Sequence, residues 1–280
     1  MARGVVVTGV STGIGYATVQ ALHAHGFHVY GSVRKEADAG RLAGEFPERF
    51  TPLRFDVTDG EAIAAAAAQV RGELGDACLA GLVNNAGMVV WGPLKHLPVE
   101  QFQRQLDVNL TGVLRVTQAF LPLLGARKPS PPTPGRIVNI GSVSGKFAMP
   151  FLGPYAVSKF GVEALSDSLR RELMIYGIDV SLIEPGRIRT PIWKKVGDAA
   201  AYGQTDYADV LKDMLDHIEE RMSTALPVSR VSATVVRALT CRRPRLRYPL
   251  PDQRFMGWIL PKLMPARLLD RAIARELFGR

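Results

Sequence analysis

Residues 4–15 read GVVVTGVSTGIG: a β-branched apolar run, then a turn holding Gly9, Gly13 and Gly15, then the start of a segment with helical spacing. Glycine permits so tight a turn and lets a phosphate approach the backbone N–H groups. The helix that follows adds a dipole favouring negative charge at its N-terminus. Any tight turn wants glycine, so the motif alone is weak. Placed between a first strand and a first helix it indicates nucleotide binding through Gly9, Ser11, Thr12, Gly13, Ile14 and Gly15.

The same alternation continues outward. Arg3–Val7, Phe27–Val33, Thr51–Phe55, Leu79–Asn84, Gly135–Ile140 and Ile178–Ile183 read as short strands. Ile14–His25, Glu61–Leu74, Pro98–Leu124 and Tyr155–Tyr176 read as helices between them. Strand and helix repeated in this way predict an α/β fold, a doubly wound parallel sheet of the Rossmann type with helices on both faces. The division expected is a single catalytic domain over residues 1–229 with a C-terminal extension over 230–280 packing on it. Gly125–Gly135, rich in proline, is expected as a surface loop. The polar, locally helical stretch 191–226 would lie near the strand C-termini and cover the ligand.

Bulk properties narrow the class. The chain has 280 residues, 47% of them hydrophobic, and a formal net charge of +9. Twelve Lys and Arg against three Asp and Glu fall between Arg230 and Arg280, so residues 1–229 are neutral. A neutral body with a basic tail argues against nucleic-acid recognition, where charge spreads over a binding surface. Cys78 and Cys241 are far apart and form neither a zinc pattern nor a disulfide framework, which suits a cytoplasmic protein. No signal peptide or membrane-spanning run is expected.

The second strand ends Tyr30-Gly31-Ser32-Val33-Arg34-Lys35, with no carboxylate before Glu36. An acid there would accept from a ribose 2′-OH and repel a 2′-phosphate. Arg34, with Lys35 adding charge and Ser11 and Thr12 adding hydroxyls, favours NADP(H) over NAD(H). The competing reading of Arg34 is a solvated loop charge.

Tyr155 and Lys159 lie four residues apart at the start of a helical pattern, on one face. A nearby ammonium stabilises phenolate, which is what an acid/base tyrosine needs. By itself such a pair is ordinary helix-surface chemistry, but Ser142, just past a strand, can bring a hydroxyl beside the phenol.

These motifs, in this order, resemble the short-chain dehydrogenase/reductase family over residues 3–191. The matching positions are the TGxxxGIG turn at 8–15, Asp56-Val57, Asn84-Asn85-Ala86-Gly87, Asn109 in Asp107-Val108-Asn109, Ser142, Tyr155, Lys159, Pro185-Gly186 and Thr190. The resemblance implies catalysis by Asn109, Ser142, Tyr155 and Lys159. Tyr155 would be general acid or base, Lys159 would lower its pKa and hold the nicotinamide ribose, Ser142 would polarise the substrate oxygen, and Asn109 would hold a water. It also implies that Asp56 and Val57 meet the adenine, that Asn85, Ala86 and Gly87 line the cofactor, and that Pro185, Gly186, Ile188 and Thr190 frame the nicotinamide.

Within the family the chain is most similar to the retinol and 17β-hydroxysteroid dehydrogenases, which implies exchange of a hydrophobic alcohol with its ketone or aldehyde. Trp91, Ser142, Phe147, Met149, Phe151 and Trp193 are the candidate substrate contacts, each equally readable as core. The alternatives are a 3-ketoacyl or polar carbonyl reductase, or an NADP(H)-responsive binding protein. No metal is expected: His23, His25 and His28 cross a helix end and the next strand with no fourth ligand. The basic, partly apolar segment 254–271 would close the pocket, pair subunits in a homodimer, or touch a membrane surface.

Overall fold

Val5 and Val7 face one side of the sheet and Val6 the other, and all three are fully buried, as alternation in a strand covered on both faces requires. The computed structural model describes residues 3–192, 199–217, 222–253 and 258–279. Its strands are β1 (Gly4–Val7), β2 (His28–Val33), β3 (Phe50–Arg54), β4 (Gly81–Asn84), β5 (Arg136–Ile140), β6 (Val180–Pro185) and β7 (Arg247–Leu250). They form one parallel sheet in the order β3-β2-β1-β4-β5-β6-β7. The order reverses between β1 and β4, so the crevice beyond the C-terminal ends of these strands is where such a sheet binds ligands.

One face carries α1 (Gly13–Ala24), α2 (Glu36–Glu45) and α8 (Val228–Thr240), packed through Val19, Leu22, Leu42, Val231 and Val235 onto Val5, Val7, Val83 and Ile183. The other carries α3 (Gly60–Leu74) and α5 (Gly112–Phe120), whose Ile63, Val70, Val116 and Phe120 meet Val6, Leu82 and Ile137. Each such side chain contributes about 1.5–3 kcal/mol over leaving it exposed. Local chemistry sets the helix ends. Asp59 caps α3 by accepting from the Ala62 N–H, and Gly75 ends it at φ 57°, a backbone region costly for other residues.

The six expected strands all form, within a residue or two. The segment 98–124 is not one continuous helix: α4 (Val99–Leu106) passes through a π-helical turn, Asp107–Thr111, into α5 and then a 3₁₀ turn, Leu121–Leu124. The boundary at residue 229 falls inside α8. Residues 228–250 are not an appended segment, because α8 lies against α1 and β7 completes the sheet beside β6. Val231, Val235, Leu239 and Tyr248 are buried in the core. The proline-rich 125–135 segment is a loop closed at Gly125 (φ 97°). The three clustered histidines point apart: His23 packs at a tilt against Phe46, His25 bonds the Ala21 carbonyl, and His28 bonds Thr51. Among the described residues, no helix is long and apolar enough to cross a membrane.

Candidate active site

At the strand ends a cleft of about 570 Å³ opens. Its floor is built by close backbone approach. A Cβ on Gly15 would lie 2.2 Å from the Gly9 carbonyl oxygen and 2.6 Å from Asn85 Nδ2, and one on Gly9 would lie 2.9 Å from Ala86 Cα. Gly9 and Gly13 also adopt φ of 69° and 62°. Thr8 fixes the two loops together, its hydroxyl accepting from the N–H of both Asn85 and Ala86 at 2.9 Å. Ser32 Oγ accepts from the Gly9 N–H at 2.9 Å. The first turn of α1 has no side-chain cap and no acidic residue, so its N–H groups and dipole face the cleft uncompensated, the requirement for holding a phosphate.

Ser11, Thr12, Ile14, Arg34, Asp56, Val57, Asn85, Ala86, Gly87, Pro185, Gly186, Ile188 and Thr190 all line this cleft with Gly9 and Gly13. Gly15 lies behind the turn, and Lys35 is not among the lining residues. Arg34 Nη1 stands 3.5 Å from the Asp56 carboxylate with most of its side chain exposed. The nearest following acid, Glu36, is paired with Arg54 at 2.7 Å, so Asp56 is the carboxylate an incoming anion would displace from Arg34. Asp56 is held below its ordinary pKa by the Thr58 N–H and hydroxyl and by Arg34, against the cost of burial. The glycine cradle, the uncapped helix end and the cationic rim fit a dinucleotide carrying an extra phosphate.

Across the switch point, β5 and helix α6 (Gly153–Glu172) bring Ser142, Tyr155 and Lys159 together. Lys159 is buried and donates from Nζ to the Ile140 carbonyl at 2.8 Å; Nζ lies 5.6 Å from the centre of the Tyr155 ring. Burial draws its pKa down to about 8. Tyr155 differs from the expectation. Although it lines the cleft, the surrounding protein raises its pKa, and the lowering comes from a hydrogen bond with Ser142 rather than from Lys159. With Nζ turned to a carbonyl, the ammonium does not bond the phenol directly. Ser142 Oγ also accepts from the Ser144 N–H at 3.1 Å.

Asn109 sits in the π-helical turn, fully buried. Its Oδ1 accepts from the Met88 N–H at 2.8 Å, and its Nδ2 donates to the Met88 carbonyl at 3.0 Å and to Ser158 at 3.2 Å. With Gln105, which bonds Val90 N–H and Met88 carbonyl, it fixes the 88–90 backbone at the cleft edge. This makes Asn109 a positioning residue in the geometry described. Among the substrate candidates, Trp91 and Phe151 are buried in an aromatic cluster with Tyr202 and Leu211 rather than lining the cleft, and Phe147 and Met149 are half-buried. Trp193 lies outside the described residues. Met88, Val89, Pro191 and Ile192 are among the apolar residues that line the cleft. Phe151 has φ 67°, strain of the kind found at functional sites, and its carbonyl accepts from Gly92 N–H at 2.8 Å two residues before α6 begins.

Sequence reasoning missed a charged cluster behind Ser142. Lys146 reaches Glu163 at 2.5 Å and Glu184 at 3.4 Å; Arg247 of β7 reaches Glu163 at 3.0 Å, Glu184 at 3.9 Å and Asp167 at 3.0 Å. Glu184 is 1% exposed, and burial and the facing Glu163 push its pKa up to about 7. The available signal was positional: Glu163 follows Lys159 by four residues, and Glu184 is a carboxylate inside the apolar strand β6.

A family model described as short chain dehydrogenase matches residues 3–201. The NADPH-dependent 3-dehydrocapnine reductase of Ornithobacterium rhinotracheale is 40% identical over 276 residues, covering 98% of this chain and 97% of that protein. The 17-beta-hydroxysteroid dehydrogenase type 6 of Homo sapiens is 35% identical over 288 residues, covering 97% of this chain and 88% of that protein. A solved structure of a short-chain dehydrogenase from Streptomyces avermitilis matches with a TM-score of 0.77 at 27% identity, over 100% of this chain and 97% of that one.

Proposed function

The chain belongs to the short-chain dehydrogenase/reductase family, and from that premise we propose that it is an NADP(H)-dependent oxidoreductase reducing a hydrophobic ketone or aldehyde to its alcohol. The observation that carries this reading is the convergence of Ser142 and Lys159 on Tyr155 at the edge of the dinucleotide-shaped cleft. The glycine turn and the start of α1 would hold the pyrophosphate. Arg34 would pair with the 2′-phosphate, assisted by Ser11 and Thr12, and Lys159 would hold the nicotinamide ribose hydroxyls. When bound, the nicotinamide supplies the hydride.

The remaining chemistry belongs to the chain. Ser142 orients the carbonyl oxygen by donating its hydroxyl hydrogen. The phenol, with its pKa raised, carries its proton at neutral pH and is ready to deliver it as negative charge develops on that oxygen. Lys159, titrating near 8, is still cationic there; its Nζ, bonded to the Ile140 carbonyl in the geometry described, would have to turn toward the ring to stabilise the phenolate left behind. This favours reduction, in keeping with the name of the 40% identical reductase. The apolar lining from Met88, Val89 and Ile192 favours a hydrophobic substrate. The exposed Val157 and Phe160 of α6 offer a face for a homodimer.

The test is NADPH oxidation followed by absorbance against 3-dehydrocapnine, retinal, steroid ketones, acyl ketones and short polar ketones. Turnover confined to the bulky apolar members is expected; turnover confined to polar ketones would overturn the substrate class. Arg34→Ala is expected to weaken NADPH binding about 30-fold, the worth of one charge-assisted phosphate contact, with NADH affinity changed less than about twofold. Equal losses for both dinucleotides, read by fluorescence titration, would remove Arg34 from phosphate recognition.

A further inference from the structure

The net charge of +9 resides in residues 230–280, and its last part forms a helix, α9 (Ala266–Phe278), in which none of the 13 residues is buried. Arg267, Arg271 and Arg275 are spaced by four and share its outer face. Among the described residues none of the three is in an ion pair. Asp270, three residues after Arg267, borders the row at one end, and Glu276 lies off it. Apolar groups stand exposed around it: Leu263 at 76%, just before the helix, Leu268 at 50% and Phe278 at 41%. The helix is held to the body by Leu277, on the cluster of Trp91, Phe151, Tyr202 and Leu211, and at its last residue by Phe278, whose ring is edge-on to Phe151 at 6.4 Å.

We propose that the outer face of α9 docks on an anionic lipid surface, with the arginines at headgroup level and Leu263 and Leu268 entering the acyl boundary. A row of guanidinium groups beside exposed leucines is what an interfacial helix presents. A polyanion without an apolar phase would satisfy the arginines and leave the leucines in water. A second copy of the chain is disfavoured as occupant, because a two-fold contact across this face would set arginine against arginine. Since α9 seats on the cluster that leads into α6, docking holds the body with the aromatic wall beside the bilayer. An apolar ketone could then reach the cleft from the membrane without crossing water; that last consequence rests on the proposed substrate class, whereas the docking does not.

The experiment is co-sedimentation of the full-length protein with phosphatidylcholine vesicles, with and without phosphatidylglycerol, at two salt concentrations. Binding only to the anionic vesicles, weakened by salt, is expected. Arg267→Gln, Arg271→Gln and Arg275→Gln together should lower the partition coefficient on the order of 100-fold. Leu263→Asn with Leu268→Asn should lower it on the order of 100-fold. All five positions are exposed, so unchanged melting and NADPH binding would show that the variants remain folded. Three outcomes overturn the proposal: no anionic-vesicle binding, binding unaffected by the arginine variant, or binding unaffected by the leucine variant. Duplex DNA of matched charge serves as the competitor. Equal affinity for DNA, insensitive to the leucine changes, would assign the face to a nucleic acid instead.

Discussion

Replacing Tyr155 by Phe is expected to lower kcat for ketone reduction by about 10³-fold, within the range by which a positioned acid or base accelerates proton transfer. NADPH affinity should be unchanged, because the deletion removes one hydroxyl and keeps the ring. The phenol is the group that both Ser142 and Lys159 serve in the proposed reaction. Its loss removes the proton donor while leaving Lys159 bonded to the Ile140 carbonyl. The wild-type rate should also carry a pH signature. Tyr155 keeps its proton across the neutral range. Lys159 loses its charge as pH rises through about 8. The rate of reduction should therefore be level below pH 7 and fall above about pH 8. Steady-state kinetics over pH 6–9.5 reads both expectations. A Tyr155→Phe enzyme within tenfold of wild type would sink the assignment of the acid.

Lys146→Met is expected to destabilise the fold by about 3–5 kcal/mol, the cost of removing one partner from a buried ion cluster. Glu163 and Glu184 would then face each other with Arg247 alone to balance them. The loss should depend on pH in a defined sense. The folded chain holds Glu184's proton up to about pH 7, whereas the ordinary value is 4.5. Between those limits the folded state binds more protons than the unfolded one, so this group's contribution to stability falls as pH rises through the window. Removing the Lys146 charge should steepen that fall, and Glu184→Gln should abolish it, since an amide has no proton to lose. Urea unfolding at pH 5, 7 and 8 checks both. Identical unfolding free energies for wild type and Lys146→Met at all three would show that the cluster is only a surface feature.

What could be read from the sequence was local. The turn at 8–15 carries its own chemistry, so the phosphate cradle and the first strand and helix followed directly. Tyr155 and Lys159 are one helical turn apart, so their shared face needed no tertiary knowledge. Where Lys159 points did: only β5 supplies the Ile140 carbonyl that takes Nζ. The expectation that the ammonium would lower the phenol's pKa failed for that reason. Apolar spacing runs unbroken from 98 to 124, and the π-helical turn that places Asn109 inserts without disturbing it. β7 was hidden because RYPL is short and contains proline, which an edge strand tolerates. Its arginine drew attention to the basic tail, although that side chain is committed to Glu163 and Asp167.

The position of α8 and β7 has a consequence for how the chain reaches this state. Helix α1 leaves the ribosome about 200 residues ahead of the surface that covers it, which belongs to residues 228–240. Strand β6 likewise waits for 247–250 to take its outer edge. During synthesis, Val19 and Leu22 lack their final cover until residues 228–240 have emerged. Contacts of so long a sequence separation form slowly. The nascent protein therefore elongates through all the residues between α1 and 228 with one sheet face incompletely covered, in the condition that holding chaperones recognise.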